Sequence, residues 1–339
     1  MTDTKQLLKT LCEAPGVGGM TEIADTAAAL LRPIADEVTA DAMGNVCGII
    51  RGTDPAADTV MLEAHMDEIG MIVTAVEDSG FIRVAACGGV DVRVLSTTEV
   101  VVYGDRPYAG VICSLPPHLT DAKERGKCPE LGKMAIDIGL SGDEAKARIP
   151  LGSRVAFRPR FDAVGETGVS AKALDDRAGM AAVLLAAEKL VAERPEKTVI
   201  CCFTVQEELG LRGAAVAAFD HTVSAAVSVD VSFGLTPDAD RHECGLCGSG
   251  PMIGISPILD ADITKTLVAL ADKAAVPYQR EVMGETTGTN ADRLSLTKNG
   301  IPCGLLSLPL KYMHTPQEYI DLRDVENTAA LLAAFVREG

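Results

Sequence analysis

Residues 175–205, DDRAGMAAVLLAAEKLVAERPEKTVICCFTV, decide the fold class. Positions 175–193 read as a long amphipathic helix. After a break containing Pro195, residues 198–205 form an apolar run of strand length without alternation, as expected of a strand covered on both faces. The same texture extends outward. Residues 5–13, 21–37, 212–219, 263–275 and 325–338 have helical periodicity, with Thr21 placed to cap the second helix. Residues 59–64 (TVMLEA), 225–231 and 302–308 read as buried strands. Strands that alternate with helices predict an α/β fold, a mainly parallel sheet flanked by helices.

Between residues 69 and 161 the pattern changes to short alternating runs, MIVTAV, FIRVAA, EVVVYG, YAGVICS and RVAFRPR, punctuated by Gly, Pro and Asp. One short helix, SGDEAKAR, interrupts them. This segment is expected to be a small, β-barrel-like domain inserted near residue 68. The α/β domain is then split in sequence, comprising residues 1–68 and 162–339.

A chain of 339 residues fits about two domains. With 31 Lys and Arg against 48 Asp and Glu, the net charge is 31 − 48 = −17. Nucleic acid and anionic lipid both require a positive footprint, so neither is expected as a partner. No apolar run approaches the roughly 18 residues of a membrane span; the longest, 178–187, is followed by Glu188 and Lys189. The N-terminus has no basic start followed by an apolar core. Ten scattered cysteines suggest no disulfide framework, and a cytoplasmic location is expected.

Function in open α/β sheets collects beyond the carboxyl ends of the strands. There this sequence places His65, with Asp67 and Glu68, after the first buried run. Glu207 and Glu208 follow 198–205, Asp230 closes 225–231, and His314 follows 302–308. The long helix opens with Asp175 and Asp176. Each group has a plain alternative: Asp175 and Asp176 could cap a helix, and Glu207 and Glu208 could sit in a solvated turn. Asp230 is harder to dismiss, because an unpaired buried carboxylate is costly. Imidazoles and carboxylates at the ends of separate strands are the usual makings of a hydrolytic metal site.

Taken in order, His65-Met66-Asp67-Glu68-Ile69-Gly70, Ala173-Leu174-Asp175-Asp176-Arg177-Ala178-Gly179, Gln206-Glu207-Glu208-Leu209-Gly210, Val229-Asp230 and Tyr312-Met313-His314-Thr315-Pro316-Gln317-Glu318 resemble the tetrahedral aminopeptidase family. These are dinuclear metallopeptidases that include glutamyl aminopeptidases, some of them labelled endoglucanases. The resemblance implies two divalent cations per subunit. Asp175 would bridge them, His65 and Asp230 would complete one site, and Glu208 and His314 the other. Glu207 would be the general base, and Asp67 would fix the tautomer of His65 from behind. The resemblance further implies a cis peptide between Asp175 and Asp176. It also implies a homo-oligomer, a tetrahedral dodecamer built from dimers joined through the inserted domain.

Three carboxylates and two imidazoles suit Zn²⁺, Co²⁺ or Mn²⁺. Paired cations clamp nucleophile and substrate oxygen together, and a neighbouring carboxylate can carry the proton. The expected activity is removal of N-terminal residues from peptides. Another amide hydrolase on the same site, such as an N-acyl amino acid amidase, is the alternative. A glycosidase fits less well, since it needs carboxyls set across a sugar ring. A non-catalytic scaffold has no use for an intact ligand and base set. The loop GETTGTN, residues 284–290, is expected to line the cleft. It lacks the lysine of a phosphate loop. Relatives carry Gly-Thr-Asp-Ala where this chain has Gly288-Thr289-Asn290-Ala291, so a charge near the cleft is missing and substrate preference does not transfer. Cys244 and Cys247 form a lone CxxC without a second ligand pair. His118, His221 and His242 match no ligand position.

Overall fold

The computed structural model describes residues 2–121, 123 and 126–339. Eight strands build one sheet in the spatial order Glu37–Ala40, Val46–Ile50, Thr198–Thr204, Thr59–His65, Ala225–Phe233, Cys303–Leu310, Met252–Ile255, Gln279–Val282. The central four, from Thr198–Thr204 to Cys303–Leu310, run parallel. Antiparallel pairings appear only toward the flanks. This is the α/β sheet expected from the alternation of helices and strands.

The helix Leu174–Ala192 corrects one expectation. It is not amphipathic: every residue from Leu174 to Ala187 is buried. The helix packs against the central strands and is also covered by the helices Thr4–Glu13 and Leu322–Glu338, so no face of its first three turns reaches water. A second correction concerns residues 21–37. The helix spans only Thr21–Leu31, and Glu37 opens an edge strand. Pro33 has no N–H with which to extend the helical ladder. Nor does Thr21 cap this helix. The capping position is Met20, and no side chain bonds there.

Six strands, Gly70–Val76, Ile82–Cys87, Ala135–Asp137, Pro107–Cys113, Glu99–Tyr103 and Arg154–Phe157, close into a barrel in that order. Its interior is a separate core that includes Met71, Val73, Ile82, Val100, Ile112, Ile136, Val155 and Phe157. Closure removes the free edges that a small open sheet would expose. Ala135–Asp137 completes the ring with three residues, too few to show alternation in the sequence.

A third sheet joins Phe161–Val164, Gly168–Ala171 and Glu318–Asp321. Its register sets Ala171 opposite Glu318. Residues 318 − 171 = 147 positions apart in sequence thereby meet.

Candidate metal centre

The parallel strands deliver the titratable groups. His65 is the last residue of Thr59–His65, and Asp230 lies in the second half of Ala225–Phe233. Glu207 and Glu208 follow Thr198–Thr204 through Gln206, which has φ 59°. His314 follows Cys303–Leu310 with φ 62°, next but one to Tyr312 at 64°. Asp175 comes after Ala173 at φ 58°, and the peptide joining it to Asp176 is cis. Positive φ is uncommon for residues other than glycine and clusters where a loop must aim a side chain. Here it turns the chain two residues before Asp175, immediately before Glu207 and at His314.

The side chains converge. His65 Nε2 lies 3.0 Å from Asp175 Oδ1 and 3.9 Å from Asp230 Oδ1. His314 Nε2 lies 3.5 Å from both Asp175 Oδ2 and Glu208 Oε1. The candidate ligand atoms of His65, Asp175 and Asp230 all fall within 4.8 Å of one another, as do those of Asp175, Glu208 and His314. Asp175 is common to both groups, with one carboxylate oxygen directed to each imidazole. This mixture of imidazole and carboxylate donors fits borderline divalent cations.

The electrostatics match that composition. Burial pushes the Glu207 carboxyl up to about 8, and the charges of Asp175, Glu208 and Asp67 add to the rise. Burial acts the same way on Asp175, but bonds from His314 and His65 overcome it and hold the group low. Asp175 and Glu208 raise His314 to about 11. The carboxylates therefore favour positive charge in the site.

Asp67 meets His65 Nδ1 with its backbone carbonyl, at 3.1 Å, and with a carboxylate oxygen at 3.7 Å. The carboxylate also accepts the backbone N–H groups of Glu207 at 3.0 Å and Glu208 at 3.3 Å. It holds the loop that carries both glutamates.

Two supports have no role in the sequence reading. Buried Glu318 accepts the N–H of Asp175 with one oxygen, at 3.0 Å, and that of His314 with the other, at 2.9 Å. It lies within the Tyr312–Glu318 motif, and its position only four residues after His314 was the available signal. Lys172 and Glu68, both buried, pair at 2.7 Å, and Glu68 also accepts the Gly16 N–H. This pair ties the segment before Asp175 to the one after Asp67.

A cavity of about 460 Å³ contains His65, Asp175, Glu207, Glu208, Asp230 and His314 on its wall. Gly89 must be glycine, since a Cβ there would sit 2.6 Å from His314 Nδ1. Thr287, Gly288 and Thr289 form part of the same wall, as the loop reading anticipated. Asn290 does not, which corrects the expectation of a missing cleft charge. Asn290 is buried, and its Nδ2 donates to Glu63 Oε1 at 2.7 Å and to Thr204 Oγ1 at 2.9 Å. A larger cavity of about 790 Å³ runs along the barrel and shares Met313 with the first. Its carboxylates, Asp91 and Glu99, are already paired with Arg93, Arg158 and Arg160, so the chemistry belongs to the smaller one.

A family model described as M42 glutamyl aminopeptidase matches residues 44–331. A lysyl aminopeptidase from Pyrococcus furiosus is 32% identical over 98% of this chain and 96% of its own. The aminopeptidase APDkam598 from Desulfurococcus kamchatkensis superposes with a TM-score of 0.92 at 34% identity, over 99% of this chain and 95% of that one. The TET1 peptidase of Pyrococcus horikoshii, which can assemble into a tetrahedron or a large octahedral shell, gives 0.88 at 29% identity, over 99% and 100% of the two chains.

Proposed function

Because this chain belongs to the M42 glutamyl aminopeptidase family and is a metal-dependent aminopeptidase, we propose that it binds two divalent cations, Zn²⁺, Co²⁺ or Mn²⁺. His65 and Asp230 would hold one, Glu208 and His314 the other, and Asp175 both. The observation that carries this reading is the pair of three-residue clusters sharing Asp175. Bound there, the cations would polarise the scissile carbonyl and acidify water.

The remaining work falls to the chain. Glu207 is on the cavity wall but in neither cluster, which leaves its carboxylate free to take a proton from water and return it to the leaving amine. Asp67 fixes the Glu207 backbone, so the base is held by its own main chain. The larger cavity beyond Met313 would take the peptide downstream of the cut bond. An N-acyl amide hydrolase would not need that second space.

In this reading the unit of residues 69–161 serves assembly. The barrel segment exposes Val94, Val111, Leu115 and Leu119, apolar side chains suited to a second copy. Dimers formed there would build a tetrahedral dodecamer. Every cysteine is a free thiol, which suits a reducing, cytoplasmic setting.

The test is digestion of a peptide library by chelated protein to which Zn²⁺, Co²⁺ or Mn²⁺ is returned singly. Stepwise loss of residues from free N-termini, restored by metal and absent on N-acetylated peptides, is expected. Turnover of N-acyl amino acids in preference to free peptides would overturn the reading. Light scattering on the same sample measures the assembly, and a stable single-subunit mass would remove the dodecamer.

A further inference from the structure

On the face of the large sheet away from the helix Leu174–Ala192, two cysteines oppose each other across antiparallel strands. Cys47 and Cys202 are direct register partners, and their sulfurs are 2.8 Å apart. His221 lies beside Cys47, close enough to act on its thiol. A separate cavity of about 140 Å³, with Asp41, Asn45 and Asp220 in its wall, opens onto Cys47 and His221. None of these residues belongs to the metal centre.

We propose that Cys47 and Cys202 form a hydroperoxide-reactive dithiol, with His221 as its proton carrier. His221 takes the Cys47 proton. The Cys47 thiolate attacks the terminal oxygen of a hydroperoxide, the O–O bond breaks, and the departing alkoxide takes the proton from His221 as the alcohol. Cys47 is then a sulfenic acid. The Cys202 sulfur attacks Cys47 Sγ, the S–O bond breaks, and the oxygen leaves as water with the Cys202 proton. Two thiols lose two electrons, and one hydroperoxide becomes one alcohol and one water. A disulfide needs an S–S distance near 2.0 Å, so the sulfurs close by less than an ångström and the strands keep their register.

The other thiols set the contrast. Thiolate is the reactive form. The Cys202 thiol and the His221 ring lower the Cys47 thiol to about 7, against its burial. Burial drives Cys12, Cys201 and Cys303 up to about 12. Cys128 is exposed. Reaction at Cys47 ahead of Cys128 would thus run against simple exposure.

The experiment treats the metal-loaded protein at neutral pH with a few equivalents of hydrogen peroxide or tert-butyl hydroperoxide. It is then denatured, its free thiols are alkylated, and its peptides are mapped by mass spectrometry. A Cys47–Cys202 linked peptide should form before any oxidation at Cys128. His221→Gln should slow the linkage about a hundredfold, the lower end of what a positioned proton carrier contributes. Cys202→Ser should stop at a Cys47 sulfenic acid that dimedone captures, with metal content unchanged. Oxidation at Cys128 first, a linkage in His221→Gln at the unaltered rate, or no dimedone adduct in Cys202→Ser would each overturn the proposal.

Discussion

His65, Asp175, Asp230 and the side chain of Glu208 are all buried, whereas 33% of the His314 side chain, on the other side of Asp175, is exposed. The construction of the two sides differs in the same sense. His65 and Asp230 stand on strands whose positions are fixed by parallel pairing on both sides. Glu208 and His314 stand on loops, held by Asp67 and Glu318 through backbone N–H groups. A buried ligand set on paired strands is preorganised, while loop ligands depend on a few hydrogen bonds. The closed side should therefore retain its cation more firmly, and the open side should be where substrate and solvent exchange.

The largest effect should separate the two sides directly. His65→Ala should abolish activity and leave neither cation bound after dialysis. The buried one loses a ligand, an effect exceeding the roughly 10–100-fold loss in affinity typical of removing an outer hydrogen-bond partner, and the open side holds its own only weakly. His314→Ala should keep one tightly held cation per chain and lose the other. Metal content measured after dialysis distinguishes them. Equal loss from both variants would erase the distinction between closed and open sides.

Glu207→Gln should act on neither cluster. Both cations should remain, because Glu207 is in neither ligand group, while kcat should fall by roughly 10²–10⁴. The amide keeps the shape and cannot take the proton. Rapid turnover by a fully loaded Glu207→Gln protein would remove the base from Glu207 and leave the ligand assignment standing.

The contrast also explains what could be read from sequence. Groups ending buried strands were legible because His65 and Asp230 interrupt apolar runs, where a polar residue has few cheap explanations. Loop supports were not. The carboxylates of Asp67 and Glu318 bond to main-chain N–H groups brought near only by the folded loops, and no spacing encodes that. The short strands Met252–Ile255 and Ala135–Asp137 escaped for a related reason, since four and three residues are too few to show a period. The helix Leu174–Ala192 misled in the opposite way. Its partly exposed Glu188 and Lys189 follow the stretch from Leu174 to Ala187, which the central strands and neighbouring helices cover on every side. Asn290 was misplaced because a loop that lines the cleft at Thr287, Gly288 and Thr289 turns its next side chain under the sheet.

The smallest effect on catalysis is expected there, beneath the closed side. Glu63, two residues before His65, is fully buried, and burial raises its carboxyl above the ordinary range. Thr204 Oγ1 and Ser228 Oγ donate to it at 2.6 Å, and Asn290 Nδ2 at 2.7 Å. Asn290→Asp replaces that donor with an acceptor, so two buried carboxyls would face each other unless one is protonated. The new Asp should have a folded-state pKa above its unfolded value of about 3.9. The folded state then binds more protons than the unfolded chain, and stability falls as pH rises between those two values. The variant should be close to the parent near pH 4 and lose about 1–3 kcal/mol at neutral pH, the cost of an unsatisfied buried polar group. Thermal melts of both proteins from pH 4 to 8, with metal present, measure this. N-terminal residue preference should stay the same, because Asn290 is not on the cavity wall. A changed preference, or a stability gap that does not widen with pH, would show that the Glu63 network is not an isolated shelf under His65 and that the closed side is coupled to substrate after all.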